Sequence, residues 1–396
     1  MKTKFNRDTF RITEAGNIGK FALIAGVAGL AISAAGYLTD SKQFFYSYLT
    51  AFTFWATIGL GGLFFTMLHH LTSATWSVVL RRMTETVMAT LPMLIILFLP
   101  VVLGMHDLYH WTHKDVVEHD AVLKSKEAYL NMPFFFIRTA LYFVVWFLLS
   151  RTLYNSSLQE DQASSPELTM KMKRVSAPGM VLFGLTLTFA SFDWLMSLDP
   201  HWYSTIYGVY VFSGTVLAIL SFIILLAQYL RKQEILEDVV TVEHYHDLGK
   251  LLFAFTVFWA YIAFSQFMLI WYANIPEETL FFDHRWHGSW KAVSMIILFG
   301  HFVVPFVVLL TRAAKRNLLI LKVMSVWLLV MHWVDIYWLV MPNLHKEGAV
   351  VTWMDITTMI GVGGLFIWLF WNRFVSQPIV PVKDPKFAAS VQFENI

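Results

Sequence analysis

Ten long apolar stretches run through the chain, at about Lys20–Leu38, Phe44–His69, Val87–Met105, Phe134–Tyr154, Ser176–Met196, Tyr207–Leu230, Leu251–Ala273, Ala292–Thr311, Leu318–Val340 and Ile356–Phe374. Each is close to the roughly 20 residues an α-helix needs to cross a bilayer. Helices on a soluble protein carry a polar face, and most of these carry none. A helix satisfies its backbone hydrogen bonds internally, so segments of this kind belong in lipid. The pattern predicts an all-α integral membrane protein with ten transmembrane helices. Composition agrees, at 57% hydrophobic and 14% charged residues.

The polar residues between the stretches sort by side. Counting boundaries from the N-terminus, the odd-numbered ones hold 21 of the 29 Lys and Arg residues, from Lys2, Lys4 and Arg7 through Arg81 and Arg82 to Lys383 and Lys386 in the tail. The even-numbered ones hold Lys42, Lys114, Lys124, Lys126, Arg138, Arg285, Lys291 and Lys346. The positive-inside rule places both termini in the cytoplasm. The first apolar run lacks a small-residue cleavage site and is long enough to span, so it reads as a helix and not a signal peptide. The net charge of +2 belongs to this topology and says nothing about nucleic acid; membrane lipids are an expected partner and nucleic acid is not. Zero cysteines exclude Cys-ligated iron–sulfur clusters, C-x-x-C-H haem attachment and disulfides.

Two stretches match at an offset of four helices. Helix five ends FDWLMSLDP and helix nine ends VDIYWLVMP, and Asp193 precedes Pro200 by the interval that separates Asp335 from Pro342. An even offset preserves direction, so the repeat is parallel. The expected architecture is a single membrane domain over 1–396. It holds two four-helix bundles, helices two to five (44–196) and six to nine (207–340), with helices one and ten flanking. A polar, Pro-broken tail (375–396) lies on the cytoplasmic side, either loosely ordered or resting on a neighbour. The inner loop Asn155–Val175 reads as an exposed strap, with a helix start at Ser165–Glu167.

A charge near mid-bilayer costs about 2.5–3.5 kcal/mol on insertion scales, so polar residues inside these helices mark candidate sites. Toward the outer side lie Arg138, Asp193, Tyr207, Tyr210, Gln266, His301, His332 and Asp335. His332 and Asp335 are three apart and share a helical face. Together they suit a proton relay or contacts to a quinone. Each also has a structural reading: Arg138 pairing with an aspartate, the aspartates capping helix ends, His301 bonding a neighbouring helix. At the inner side Glu85, Glu243, His246, Asp247 and Lys322 form a candidate proton intake, or simply interfacial charge. His106, His110 and His113 fall at i, i+4 and i+7, but no fourth ligand is evident and no metal is expected. His69, His70, His301 and His332 show no paired spacing at equal depth, which argues against a b-haem.

The runs SFDWLMSLDPHWYSTIYGVYVFSG (191–214), WYANIPEET (271–279), HFVVPFVVLLTRAAKRN (301–317) and VDIYWLVMP (334–342) carry a family resemblance. They resemble the ten-helix membrane subunits of bacterial alternative complex III, within the polysulfide-reductase membrane-subunit (NrfD-like) family, over nearly the whole chain. The first run resembles the shorter of the two related membrane subunits. The resemblance implies a quinol:electron-acceptor oxidoreductase in the bacterial cytoplasmic membrane, in which this subunit is not catalytic alone. Haem c and iron–sulfur clusters would lie in partner subunits, this chain binding none. The implied partners are haem c and iron–sulfur/molybdopterin-like subunits, an ActC-like sister membrane subunit and a docked cytochrome oxidase. The electron donor would be a quinol, of menaquinone or another quinone. Two other classes stay open from the residues alone: a secondary ion-coupled transporter, and a scaffold without chemistry.

Overall fold

The computed structural model describes residues 4–163 and 165–395; Lys2, counted in the charge sorting, lies outside them. Ten helices among the described residues are long and apolar enough to cross a membrane. They run Ile18–Tyr37, Ser41–Thr72, Val78–Leu103, Met132–Glu160, Pro166–Leu198, Tyr207–Lys232, Val242–Ala273, Trp290–Leu309, Leu318–Asn343 and Trp353–Ser376, and are called helices one to ten. The chain is an all-α, multi-pass membrane protein. A small antiparallel hairpin, Lys4–Asn6 with Arg11–Glu14, precedes helix one.

Helices two and six form the centre: 89% and 78% of their apolar windows are buried, against 22–56% for the other eight. Helices two to five pack in one ring and six to nine in another. The rings meet where helix two lies against helices six and nine, and helix five against helix six. Helices one and ten pack on each other and on helix two. Helix one buries Gly19, Gly26, Gly29, Ser33 and Gly36 while its Phe21, Ile24, Val27 and Ile32 point outward. A Cβ at Gly364 would lie 2.4 Å from the Gly26 nitrogen, and one at Gly29 2.7 Å from the Gly361 nitrogen. Small residues let the two backbones touch, which supplies the dispersion contact that association in lipid requires.

Several expectations need correction. Helix three begins at Val78, not Val87, so Arg81, Arg82 and Glu85 are buried inside it. It is also segmented, as Val78–Met88, Leu91–Leu97 and Leu99–Leu103. Pro92 and Pro100 open the later segments and lack the N–H that would bond Met88 and Ile96. Helix four extends to Glu160 and helix five starts at Pro166, so most of the expected strap 155–175 is helix. The tail is not loose but packs on the chain itself: Ile379 and Val380 are fully buried, and the Ile379 amide donates to the Phe10 carbonyl at 2.9 Å. This contact puts both ends of the chain on one face, called here the terminal face.

Replacing Gly364 with Leu should separate helices one and ten. Overpacking of this kind costs about 1–3 kcal/mol where neighbours can shift, and facing backbones cannot. Thermal unfolding in detergent should show a lower midpoint for Gly364→Leu and little change for Gly184→Leu, whose Cβ would meet nothing within 4 Å.

Candidate functional site

Asp193 and Asp335, the matched aspartates of helices five and nine, are both buried but differently partnered. Asp193 faces helix four. Arg138 grips it in a fork, Nε to Oδ2 and Nη2 to Oδ1, both 2.8 Å, and the Tyr142 hydroxyl donates to Oδ2 at 2.6 Å. The guanidinium also lies 3.8 Å from the centre of the Tyr129 ring and bonds that residue's carbonyl. Asn131 caps helix four through the Phe134 amide, and Met132–Pro133 open it, which fixes the height of Arg138. Carboxylate and guanidinium neutralise each other, so Arg138 pairs with an aspartate as the structural reading expects.

Asp335 has no such cation. The Tyr210 hydroxyl of helix six donates to Oδ1, and Trp259 Nε1 of helix seven donates to Oδ2 at 3.2 Å. Nδ1 of His301 stands 4.0 Å from Oδ2. The His301 ring lies on the Trp259 indole with centres 4.0 Å apart, and neither of its nitrogens has a hydrogen-bond partner. The surrounding backbone is unusual. Helix eight is π-helical over Ile297–Val303, and the Val304 amide bonds the Phe299 carbonyl. The next link in that ladder would need an N–H from Pro305, which has none. The stranded Gly300 carbonyl instead accepts Trp327 Nε1 of helix nine at 2.6 Å. A π turn held between a proline and an indole therefore sets the histidine toward the carboxylate.

The expected His332–Asp335 pair does not form. Three residues along a helix leave two side chains about 60° apart in azimuth and about 4.5 Å apart in height. That is enough to face different neighbours. His332 turns to helix two, with Nε2 2.9 Å from Thr57 Oγ1. The Thr57 hydroxyl already donates to the Phe54 carbonyl, so His332 Nε2 carries the hydrogen and donates. Its Nδ1 is left bare and unpartnered. Tyr207 is fully buried beside Trp202, and Gln266 Oε1 accepts Ser204 Oγ at 3.2 Å. The outer candidates thus divide: Tyr210, His301 and Asp335 meet, Arg138 and Asp193 form a separate closed pair, and His332, Tyr207 and Gln266 serve other contacts.

The inner candidates do not converge either. Glu85 lies between Arg81 (Nε to Oε1, 2.9 Å) and Arg82 (Nε to Oε2, 3.2 Å). Glu243 is held by both terminal nitrogens of Arg316 at 2.6 and 2.8 Å, Asp247 pairs with Lys250, and Lys322 is exposed. His246 is buried with Nδ1 unpartnered. In the outer loop, His106 and His113 lie on a four-residue helix and an extended residue, so the three imidazoles do not share one helical face.

Arg285 and Asp355 are among the buried charges that escaped the sequence reading. Arg285 precedes helix eight, where its context DHRWHGSW suggests an interfacial loop. It is buried and holds three carbonyls, Phe281, Trp338 and Leu339, at 2.9–3.0 Å, stacked 3.6 Å from the Phe281 ring centre. Burial lowers its pKa to about 10, and the C-terminal carbonyls of helix nine partly stabilise its charge. Asp355, one residue before the expected start of helix ten, ends a buried chain. His345 Nε2 donates to Gln43 Oε1 (2.6 Å), Gln43 Nε2 to Ser47 Oγ (2.9 Å) and Ser47 Oγ to Asp355 Oδ1 (2.6 Å). An amide in mid-chain orients but does not relay protons, so these contacts tie helix ten to helix two. Its signal in the sequence is the capping box Thr352–Asp355.

No family model matches this sequence, and no curated protein matches it.

The different partners of the two aspartates predict opposite sensitivities. Asp193→Asn strands a buried guanidinium and should cost about 3–5 kcal/mol, as broken buried pairs do. Asp335→Asn strands no charge and should cost under about 1.5 kcal/mol, a neutral hydrogen-bond change. Unfolding in detergent, monitored by Trp fluorescence, compares them directly.

Proposed function

We propose that this chain is an integral membrane subunit of a respiratory quinol-oxidising complex of the alternative complex III type. In this reading it sits in the bacterial cytoplasmic membrane with both termini in the cytoplasm. It corresponds to the shorter of the two related NrfD-like membrane subunits. Support comes from the sequence resemblance and from the two packed rings of four helices. Haem c, iron–sulfur and molybdopterin-like subunits, an ActC-like sister and a cytochrome oxidase are its proposed partners. The electrons of the quinol, menaquinol or another, pass to centres in those partners.

The role proposed for this subunit is handling the protons. Oxidation of a quinol to a quinone releases two electrons and two protons. The observation that carries the reading is the contrast between the aspartates. Asp193 is neutralised by Arg138. Asp335 has only neutral donors, Tyr210 and Trp259, and a histidine with both nitrogens free. A buried carboxyl without a cation reaches neutrality by holding a proton, and His301 at 4.0 Å is placed to exchange it. Tyr210 and Trp259 fix the carboxyl, and the π turn fixes the imidazole.

The segmented helix three and the π turn with Pro305 in helix eight favour one second reading, an ion-coupled transporter. Purification and turnover separate the two. Chain isolated from its native membrane should bring haem-containing partners, and chain reconstituted alone should show no ion-driven uptake. In the assembled complex, Asp335→Asn and His301→Phe should each lower proton-coupled quinol turnover at least tenfold with normal subunit yield. Full turnover in assembled Asp335→Asn would instead favour a scaffold role.

A further inference from the structure

The terminal face carries a second buried charge cluster with its own cover. Arg81 and Arg82 of helix three, Glu85 one turn on, and Glu160 at the end of helix four are each at most 1% exposed. Arg81 Nη2 reaches Glu160 Oε2 at 3.2 Å, and Arg82 Nη2 reaches Asp161 Oδ2 at 2.6 Å. Burial raises the Asp161 carboxyl above its usual range. The fourth carboxylate comes from beyond helix ten. Asp384 Oδ2 accepts Arg81 Nη1 at 2.5 Å, across about 300 residues of sequence.

Asp384 sits in the middle of a segment, 377–395, whose only regular piece is Phe387–Val391. The segment is pinned at several heights. Ile379 and Val380 are buried, the first against the Phe10 backbone. Lys386 Nζ bonds the Ser73 carbonyl, and Ser390 Oγ donates to the Trp76 carbonyl at 3.0 Å. The Ser390 carbonyl lies 3.0 Å from His244 Nε2 at the start of helix seven. The segment therefore crosses from the first ring of helices to the second, over the 73–79 turn. Ser77, in that turn, is 1% exposed. Apolar contacts come from Ile379 and Val380, from Phe387 edge-on to Phe10 at 5.6 Å, and from the half-buried Val382 and Val391; the other attachments are polar and made to loop or helix-end groups that water could also satisfy. The cluster beneath has no such alternative.

We propose that residues 377–395 form a removable strap that closes the terminal face over the Arg81–Glu85–Glu160 cluster, with Asp384 as its latch. Closed, it completes the ion network and keeps water from it. Opened by loss of the Arg81–Asp384 contact, it admits water to the 73–79 turn and to Glu85 and Glu160. The inference is independent of the quinol reading, since it concerns access to a face and not a reaction.

The absence of cysteine makes the test direct. A single Ser77→Cys chain, full length in lipid nanodiscs that leave both faces open, is treated with a charged maleimide. Labelling should be slow, and adding Asp384→Asn should speed it at least tenfold, while Asp384→Glu should restore slow labelling. Equal rates with and without Asp384→Asn would overturn the proposal. Ser213→Cys, buried in helix six, is the control and should stay unlabelled throughout. If Asp384→Asn also exposes Ser213→Cys, the variant has unfolded, and hydrogen exchange on the unsubstituted chain decides. Residues 377–395 must then exchange together at least tenfold faster than 78–88, and exchange at the same rate would overturn the strap.

Discussion

The electrostatic cost of a charge away from water governs how this chain is arranged. Burying an ion costs several kcal/mol even after relaxation, and the fold meets that cost in three ways. Arg138 and Asp193 cancel within one ring. Arg81 and Arg82 are each held by carboxylates, four in all, at the terminal face. Arg285 forms no ion pair among the described residues and borrows helix-end carbonyls instead. Asp335 falls into none of these groups, having only hydroxyl and indole donors. The packing of helices four with five, and three with four, is in part the geometry needed for the first two solutions.

The same constraint explains why two rings with matched sequences have unlike interiors. In the first ring, helix four presents a guanidinium to the aspartate of helix five. In the second, helix eight presents His301 to the aspartate of helix nine, from a stretch wound too wide to be α-helical. An imidazole can be neutral or charged where a guanidinium cannot. A guanidinium in one ring and an imidazole in the other thus give two matched aspartates unlike partners.

The ten helices were legible because an apolar run about 20 residues long has one physical meaning. Their polar contents were less so. Arg81, Arg82 and Glu85 read as the watery end of helix three because their neutralising partners, Glu160 and Asp384, lie far away in sequence. The spacing of His332 and Asp335 identified a shared face but not a shared neighbour, and the neighbour decides the chemistry. His301 was visible as a buried histidine and Pro305 as an interruption of its helix, but the Gly300–Trp327 contact that completes the π turn has no mark in the sequence. Arg285 was hidden by aromatic surroundings typical of an interface, which here fold over it as a roof.

The glycine seam between helices one and ten bears on the order in which the molecule is made. Of the ten spans, the first to leave the ribosome has its principal partner in the tenth. Beyond Lys20 near its start, its outward face is almost entirely apolar and suits lipid, but its seam stays open until helix ten, with Gly364 338 residues after Gly26, has followed. Central helices two and six can meet their neighbours long before. The seam can close only after helix ten is made, and the hairpin then lies beside the tail. Ends that meet in this way make the chain nearly circular in space. New termini could be opened in a loop on the far face while the old ones are joined, and the first span would then be synthesised beside its partner.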